Sequence, residues 1–349
     1  MVIDEADLIL SFGYDEDLKA ILRFLPPIYQ SYLMSATLSP DVDQLKQLVL
    51  RNPAVLKLQE ADSQNLLSQF VVHCSEQDKF LLTFFILKLK LDPFGSGKCI
   101  IFVNSIERCY RLKLFLDQFG IKCCTLNSEL PVKSRFHIVQ EFNRGIYDYI
   151  IATDESGDLK SKEQDSEDED QTPTQEKTPD SSKKKKKTDS EYGVSRGIDF
   201  KNVRAVLNFD VPKSSRSYMH RVGRTARGVG NKGYALTFLS DPNATTTDAK
   251  KMDASLLQQQ KVFKRIEKKQ TAMDRAISTF QFNMNQVEGF RYRVEDALRA
   301  VTEVSVREAR LKDIKSELLN SEKLKVGFFD IFLNLFRIIL KRIQRICML

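Results

Sequence analysis

Between residues 69 and 240, short apolar runs alternate with stretches of helical periodicity, and that alternation admits few folds. The runs at 70–73, 99–103, 123–126, 149–152, 203–208 and 234–239 have the length and composition of strands. Between them, 76–91, 106–119, 132–144 and 214–223 have the length and spacing of helices. Strands joined through helices lie parallel and need cover on both faces. The expected class is therefore α/β, a parallel sheet between helical layers.

The flanks read differently. Residues 1–58 give strand, helix, strand, helix, with helices at 15–24 and 40–50 and a second strand at 31–34. Two strands are too few for a doubly covered sheet, so this piece is expected to be the trailing part of a domain and poorly stable alone. A second domain spans 65–245. It is interrupted at 155–192 by a polar insert that carries Glu167-Asp168-Glu169-Asp170 and the lysine run 183–187. That insert buries too little apolar surface to offset its ordering entropy and is expected to be disordered. Residues 250–325 form a helical extension, with helices at 254–268 and 294–319. The tail, 326–349, places Phe328, Phe332, Leu335, Ile339, Ile343 and Ile346 at helical spacing opposite Asp330, Asn334, Arg337 and Lys341. A basic amphipathic helix that binds a surface or self-associates is expected there, and Arg337 in so short a run argues against a membrane span.

Composition narrows the chemistry. A net charge of +7 leans toward an anionic partner. The six cysteines show no C-x-x-C spacing and read as reduced thiols of a cytosolic or nuclear protein, and three histidines without paired spacing leave a structural zinc site without support. Charge appears at Asp4 before any apolar run, so no secretory leader is expected. Gly95-Ser96-Gly97-Lys98 ends like a phosphate loop, but Asp92 stands where its first glycine should be and a strand follows, so it reads as a turn. Gly228-Val229-Gly230-Asn231-Lys232-Gly233 has dinucleotide-loop spacing in the reverse context, helix before strand.

The remaining motifs are of another kind. Val2-Ile3-Asp4-Glu5-Ala6-Asp7 is an apolar strand end delivering adjacent carboxylates. The first can hold Mg²⁺ and the second can orient an attacking water, while arginines from elsewhere neutralise charge developing on a γ-phosphate. Together with Ser35-Ala36-Thr37, Arg196-Gly197-Ile198-Asp199 and His220-Arg221-Val222-Gly223-Arg224-Thr225-Ala226-Arg227, this string resembles motifs II, III, V and VI of the DEAD-box RNA helicases, in family order. The resemblance implies a RecA-like fold: a complete second motor domain, a partial first one, and the helical C-terminal extension. It implies ATP and Mg²⁺ as cofactors, with Asp4 on the metal, Glu5 on the hydrolytic water, and Arg224 and Arg227 on the phosphates. If the helix continues through them, those two arginines share one face.

Asp7, Ser35, Thr37 and His220 are expected to couple the parts, and Asp199 to bond the nucleotide ribose. Asn104, Arg135, Arg144, Gly145 and Thr153, with Ser105 and Asn143 beside them, resemble the residues that meet the RNA backbone. Residues 280–325 resemble the extension of nucleolar helicases that act on large-subunit ribosomal precursors. There, aromatic and arginine side chains either stack on bases or pack the extension onto the motor domain. RNA, pre-ribosomal RNA in particular, and pre-ribosomal particles are the implied partners, in the nucleus and nucleolus, and the lysine run reads as an import signal. No G-x-x-x-x-G-K-[ST] string occurs in these 349 residues. The expectation is a helicase fragment that does not hydrolyse ATP alone at a family-like rate, the alternative being a noncatalytic RNA-binding or regulatory module.

Overall fold

The computed structural model describes residues 1–4, 6, 14–26, 28–35, 40–56, 66–153, 199–227, 231–240, 249–273 and 275–320. The expected disordered insert at 155–192 and the tail at 326–349 lie outside these. The described residues divide into two compact units, the first within 1–56 and the second within 66–320.

The first unit holds β1 (Val2–Ile3), α1 (Asp15–Phe24), β2 (Tyr32–Leu33) and α2 (Pro40–Val49). β1 and β2 pair in parallel, Val2 with Tyr32 and Ile3 with Leu33. Ile3, Ala6, Leu18, Leu45 and Val49 make a small core. Phe24 and Ile28 are 90% and 92% exposed.

The second unit runs β3 (Leu67–Cys74), α3 (Glu76–Lys88), β4 (Lys98–Val103), α4 (Ile106–Gln118), β5 (Cys123–Leu126), α5 (Val132–Arg144), β6 (Tyr149–Thr153), β7 (Val203–Asn208), α6 (Ser215–Val222), β8 (Gly233–Ser240), α7 (Ala249–Thr271), β9 (Ile277–Thr279), α8 (Met284–Glu288), α9 (Arg291–Ala300) and α10 (Glu303–Asn320). Its strands form a seven-stranded sheet in the order β5-β6-β4-β7-β8-β3-β9. All the pairings are parallel.

Strand alternation decides the layers. On β4, Cys99, Ile101 and Val103 turn to the core built with α3 and α4, while Ile100 and Phe102 turn to Val139 and Phe142 of α5. On β8, Leu236 and Phe238 join the first layer, whereas Ala235 and Leu239 meet Tyr218 and Val222 of α6 and Phe263 and Ile266 of α7. α3 starts at Ser75, whose hydroxyl accepts the Asp78 N–H at 3.1 Å while the Asp78 carboxylate accepts back from Ser75, a reciprocal cap. Its residues Lys79 through Leu87 are all buried, and the two polar ones are bonded, Lys79 to Glu76 and the Thr83 hydroxyl to the Lys79 carbonyl at 2.7 Å. Cys74, Cys99, Cys109, Cys123 and Cys124 are buried as thiols.

Two expectations change beyond β8. The segment after α7 contributes β9, which pairs with β3 through Gln69, Phe70 and Val71 and makes the extension part of the sheet. The helix expected at 294–319 is broken in two: α9 ends before Val301, and Thr302 caps α10 by accepting the Ser305 N–H at 3.3 Å. The extension's aromatics pack inward. Phe280 stands edge-on to Phe70 at 5.6 Å and Phe94 at 5.2 Å, and Phe290 meets Phe84 at 5.7 Å and Phe85 at 5.9 Å. Phe280 and Phe290 thus pack against the second unit's sheet and α3, and Tyr292, 77% exposed, is left in water. Among the described residues no helix is long and apolar enough to cross a membrane.

Candidate functional site

Open parallel sheets present their ligand-facing loops at the carboxyl ends of the strands. At that end of β4, Asn104 donates its N–H to the Asp210 carboxylate at 2.9 Å and its side-chain amide to the Val211 carbonyl at 2.8 Å. Arg221 of α6, 1% exposed, donates to the Asp210 carbonyl at 2.9 Å and to Asn104 Oδ1 at 2.8 Å, with its guanidinium 5.3 Å from the Phe102 ring. Arg108 of α4 bridges Asp210 and Glu76, 2.8 Å from each. Glu76 also accepts from the buried Lys79 at 2.6 Å and from Ser240, the last residue of β8, at 2.5 Å. Ions, amides and carbonyls thus tie the ends of β3, β4, β7 and β8 to α6.

Burial alone would raise the Glu76 carboxyl, but the Lys79 ammonium and the Arg108 guanidinium outweigh it and hold the group down at about 2. A depressed carboxyl contributes stability that is present above the unfolded value of 4.5 and is lost as pH falls toward about 2. Glu76→Gln is therefore expected to cost roughly 2 kcal/mol at neutral pH, allowing for solvent screening. Urea unfolding at a series of pH values should show the gap between parent and variant closing through that window. A gap of constant size would mean that the carboxylate is not held ionised.

α6 ends at Val222, so the expectation that Arg224 and Arg227 share a helical face is corrected. Gly223 closes the helix, and the Thr225 hydroxyl is drawn to the start of β7, donating toward the Val203 carbonyl at 2.7 Å and the Arg204 carbonyl at 3.0 Å. Ala226 then adopts φ +55°, a left-handed conformation that few non-glycine residues hold. Gly233 makes the turn feasible: a Cβ there would lie 2.5 Å from the Ala226 nitrogen. The two arginines are thereby separated, Arg224 buried and Arg227 exposed. Arg227 Nε donates to the Gly223 carbonyl at 2.8 Å, and Nη1 reaches Asp199 Oδ1 at 3.3 Å. Asp199 is presented by Asn143, whose side chain donates to the Asp199 carbonyl at 3.0 Å and accepts the Lys201 N–H at 2.8 Å. Two residues expected at the nucleotide, far apart in sequence, are brought together as an accessible ion pair.

The other expected residues are placed as follows. Arg135 is buried in the first turn of α5, Arg144 is exposed in its last, and Gly145 closes the helix at φ +83°. Thr153 is buried at the end of β6, and His220 is half-buried on α6. In the first unit Asp4 is exposed just after β1 and Ser35 is half-buried, while Glu5, Asp7 and Thr37 lie outside the described residues. Lys98 of the Gly-Ser-Gly-Lys turn donates to the Asn143 carbonyl at 2.9 Å and covers the Phe142 ring, a structural use. Among the described residues no group of three or more His, Cys, Asp or Glu gathers to hold a metal. A single exposed carboxylate such as Asp4 fits Mg²⁺, which keeps most of its waters and is completed by phosphate oxygens.

Sequence reasoning missed Glu76, Arg108, Asp210 and Arg221 as a unit. Arg221 stood inside a quoted motif, but nothing local joined it to the other three.

The DEAD/DEAH box helicase family matches residues 1–45, and the helicase conserved C-terminal domain matches 85–157 and 192–229. ATP-dependent RNA helicase dbp9 of Aspergillus terreus is 48% identical over 94% of this chain and 56% of its own length. The Schizosaccharomyces pombe protein of that name is 48% identical over 95% of this chain and 59% of its own. The chain thus spans somewhat more than half the length of these relatives. Among solved structures, Saccharomyces cerevisiae Dbp5 bound to RNA and ADP BeF3 superposes with TM-score 0.55 at 23% identity, over 85% of this chain and 62% of that one. The l327v form of Dbp5 bound to gle1 h337r and ip6 gives 0.56 at 24%, over 85% and 61%. At such identity the likeness is one of fold.

Proposed function

We propose, from the premise that this chain belongs to the DEAD-box helicase family, that it supplies the second motor domain and part of the first of an ATP-dependent RNA helicase. The observation that carries the reading is the Arg227–Asp199 pair. It presents a guanidinium and a carboxylate, both water-accessible, where the family's motifs V and VI meet. In the working enzyme Arg227 leaves Asp199 to neutralise charge developing on the γ-phosphate, and Asp199 turns to the ribose. Arg224 supports the same phosphates. Asp4 takes part in holding Mg²⁺, which supplies charge neutralisation when bound, and Glu5 orients the water. Asp7, Ser35, Thr37 and His220 couple the parts.

Asn104, Arg135, Arg144, Gly145 and Thr153 would address RNA phosphates and sugars, giving binding that is indifferent to sequence and weakened by salt. The narrower reading, pre-ribosomal RNA and particles in the nucleolus, is supported by the likeness of residues 280–325 to the extension of nucleolar helicases and by the lysine run.

The test is made on the 349 residues themselves and on the same residues joined to a segment bearing a phosphate-binding loop. The chain alone is expected to bind single-stranded RNA with little RNA-stimulated phosphate release, and the joined protein to turn over ATP. RNA binding that never acquires turnover would instead mark a noncatalytic RNA-binding module.

A further inference from the structure

The loop between β5 and α5 leads directly into Arg135, and it is held from two directions. Asn127, fully buried, accepts the N–H groups of Glu129 at 3.1 Å and Leu130 at 3.2 Å on its Oδ1, while its amide donates to the buried Tyr110 hydroxyl at 3.3 Å. Pro131 then stands at the N-cap of α5, and the Arg135 N–H donates to its carbonyl at 3.0 Å. The second hold comes from the far end of the chain. Arg310 of α10 grips the Glu129 carboxylate with two parallel bonds, Nε to Oε2 at 2.8 Å and Nη2 to Oε1. A two-pronged guanidinium grip fixes direction as well as distance, which an ammonium cannot do. α10 is itself seated on α4: Lys113 reaches Asp313 at 3.4 Å, and one helix earlier Gln118 donates to the Ala297 carbonyl at 3.3 Å.

We infer that the helical extension is a brace for the RNA-facing entrance of α5, with Arg310 as a positioning residue that acts through Glu129 on the loop feeding Arg135. The inference rests on the reading of Arg135 as an RNA contact. Arg310 touches no RNA in this scheme. Its grip orders the Glu129–Leu130 turn and so sets where α5 begins.

The experiment uses the full chain and four variants: Glu129→Gln, Arg310→Gln, Arg310→Lys, and the exchanged pair Glu129→Arg with Arg310→Glu. Affinity for labelled single-stranded oligouridine is read by fluorescence anisotropy, amide hydrogen exchange is read at Glu129, Leu130 and Arg135, and thermal unfolding is followed alongside. The brace predicts faster exchange at those amides and affinity weaker by roughly threefold to thirtyfold in all three single variants, with an unchanged unfolding midpoint. The exchanged pair should recover both. Single variants that exchange and bind like the parent would overturn the inference. So would weakened binding without faster local exchange, which would make Arg310 a direct contact. If the parent chain itself fails to bind oligouridine, the RNA reading is what fails, and the exchange rates still decide whether Arg310 orders the loop.

Discussion

Arg227→Ala, in a protein that joins these residues to a phosphate-binding loop, is expected to lower RNA-stimulated ATP turnover by about a thousandfold or more. Its unfolding should hardly change. The side chain is 45% exposed and its ion partner Asp199 is 71% exposed, so the lost pair is of the kind that contributes about 0–1 kcal/mol. Arg227→Lys should recover little, because an ammonium lacks the planar fork. Asp199→Ala should act mainly on the KM for ATP, since a ribose contact is made equally before and during the reaction. Turnover of Arg227→Ala within tenfold of the parent would remove this residue from the phosphate-neutralising role.

Arg221→Ala should do the reverse, lowering stability first and activity only in consequence. A buried guanidinium is lost, two acceptors on Asp210 and Asn104 lose their donor, and a space opens beside Phe102. Leaving a buried neutral acceptor without its donor costs about 1–3 kcal/mol, and two are left here. Arg221→Met keeps much of the volume and should cost distinctly less. Urea unfolding at neutral pH measures both. A loss below about 1 kcal/mol for the alanine variant would mean that α6 is held to β4 by its apolar face alone.

The sheet was legible because its strands are apolar runs and its helices periodic ones, both local signals. The six expected strands of the second unit occur, with β3 longer at both ends through its ladder with β8. β9 was not legible: Ile277-Ser278-Thr279 offers one apolar residue, and only the neighbouring backbone of β3 makes it a strand. The end of α6 was obscured in the same way. Nothing in Gly223-Arg224-Thr225-Ala226 forbids helix strongly enough, and what ends it is the reach of Thr225 to β7 and the close approach of Gly233. Motif spacing named Arg227 and Asp199 as nucleotide residues, and the fold pairs them. It could not show that Asn104 is already bonded to Val211 and Arg221, or that Asn143 carries the Asp199 segment, because those partners lie on α6 and on loops distant in sequence.

The position of β3 has a consequence for how this protein is made. β3 is the earliest strand of its sheet to leave the ribosome, yet its two neighbours are the last, β8 with Leu67 opposite Gly233 and β9 with Gln69 opposite Ile277. Until the chain beyond residue 279 has been synthesised, both edges of Leu67–Cys74 cannot be paired natively, and Phe70 waits for Phe280. Such late, long-range closure folds slowly and leaves an apolar strand open to wrong partners in the interval. A nascent chain stopped before Ile277 would therefore offer chaperones the open edge of β3, the first-made strand of its sheet.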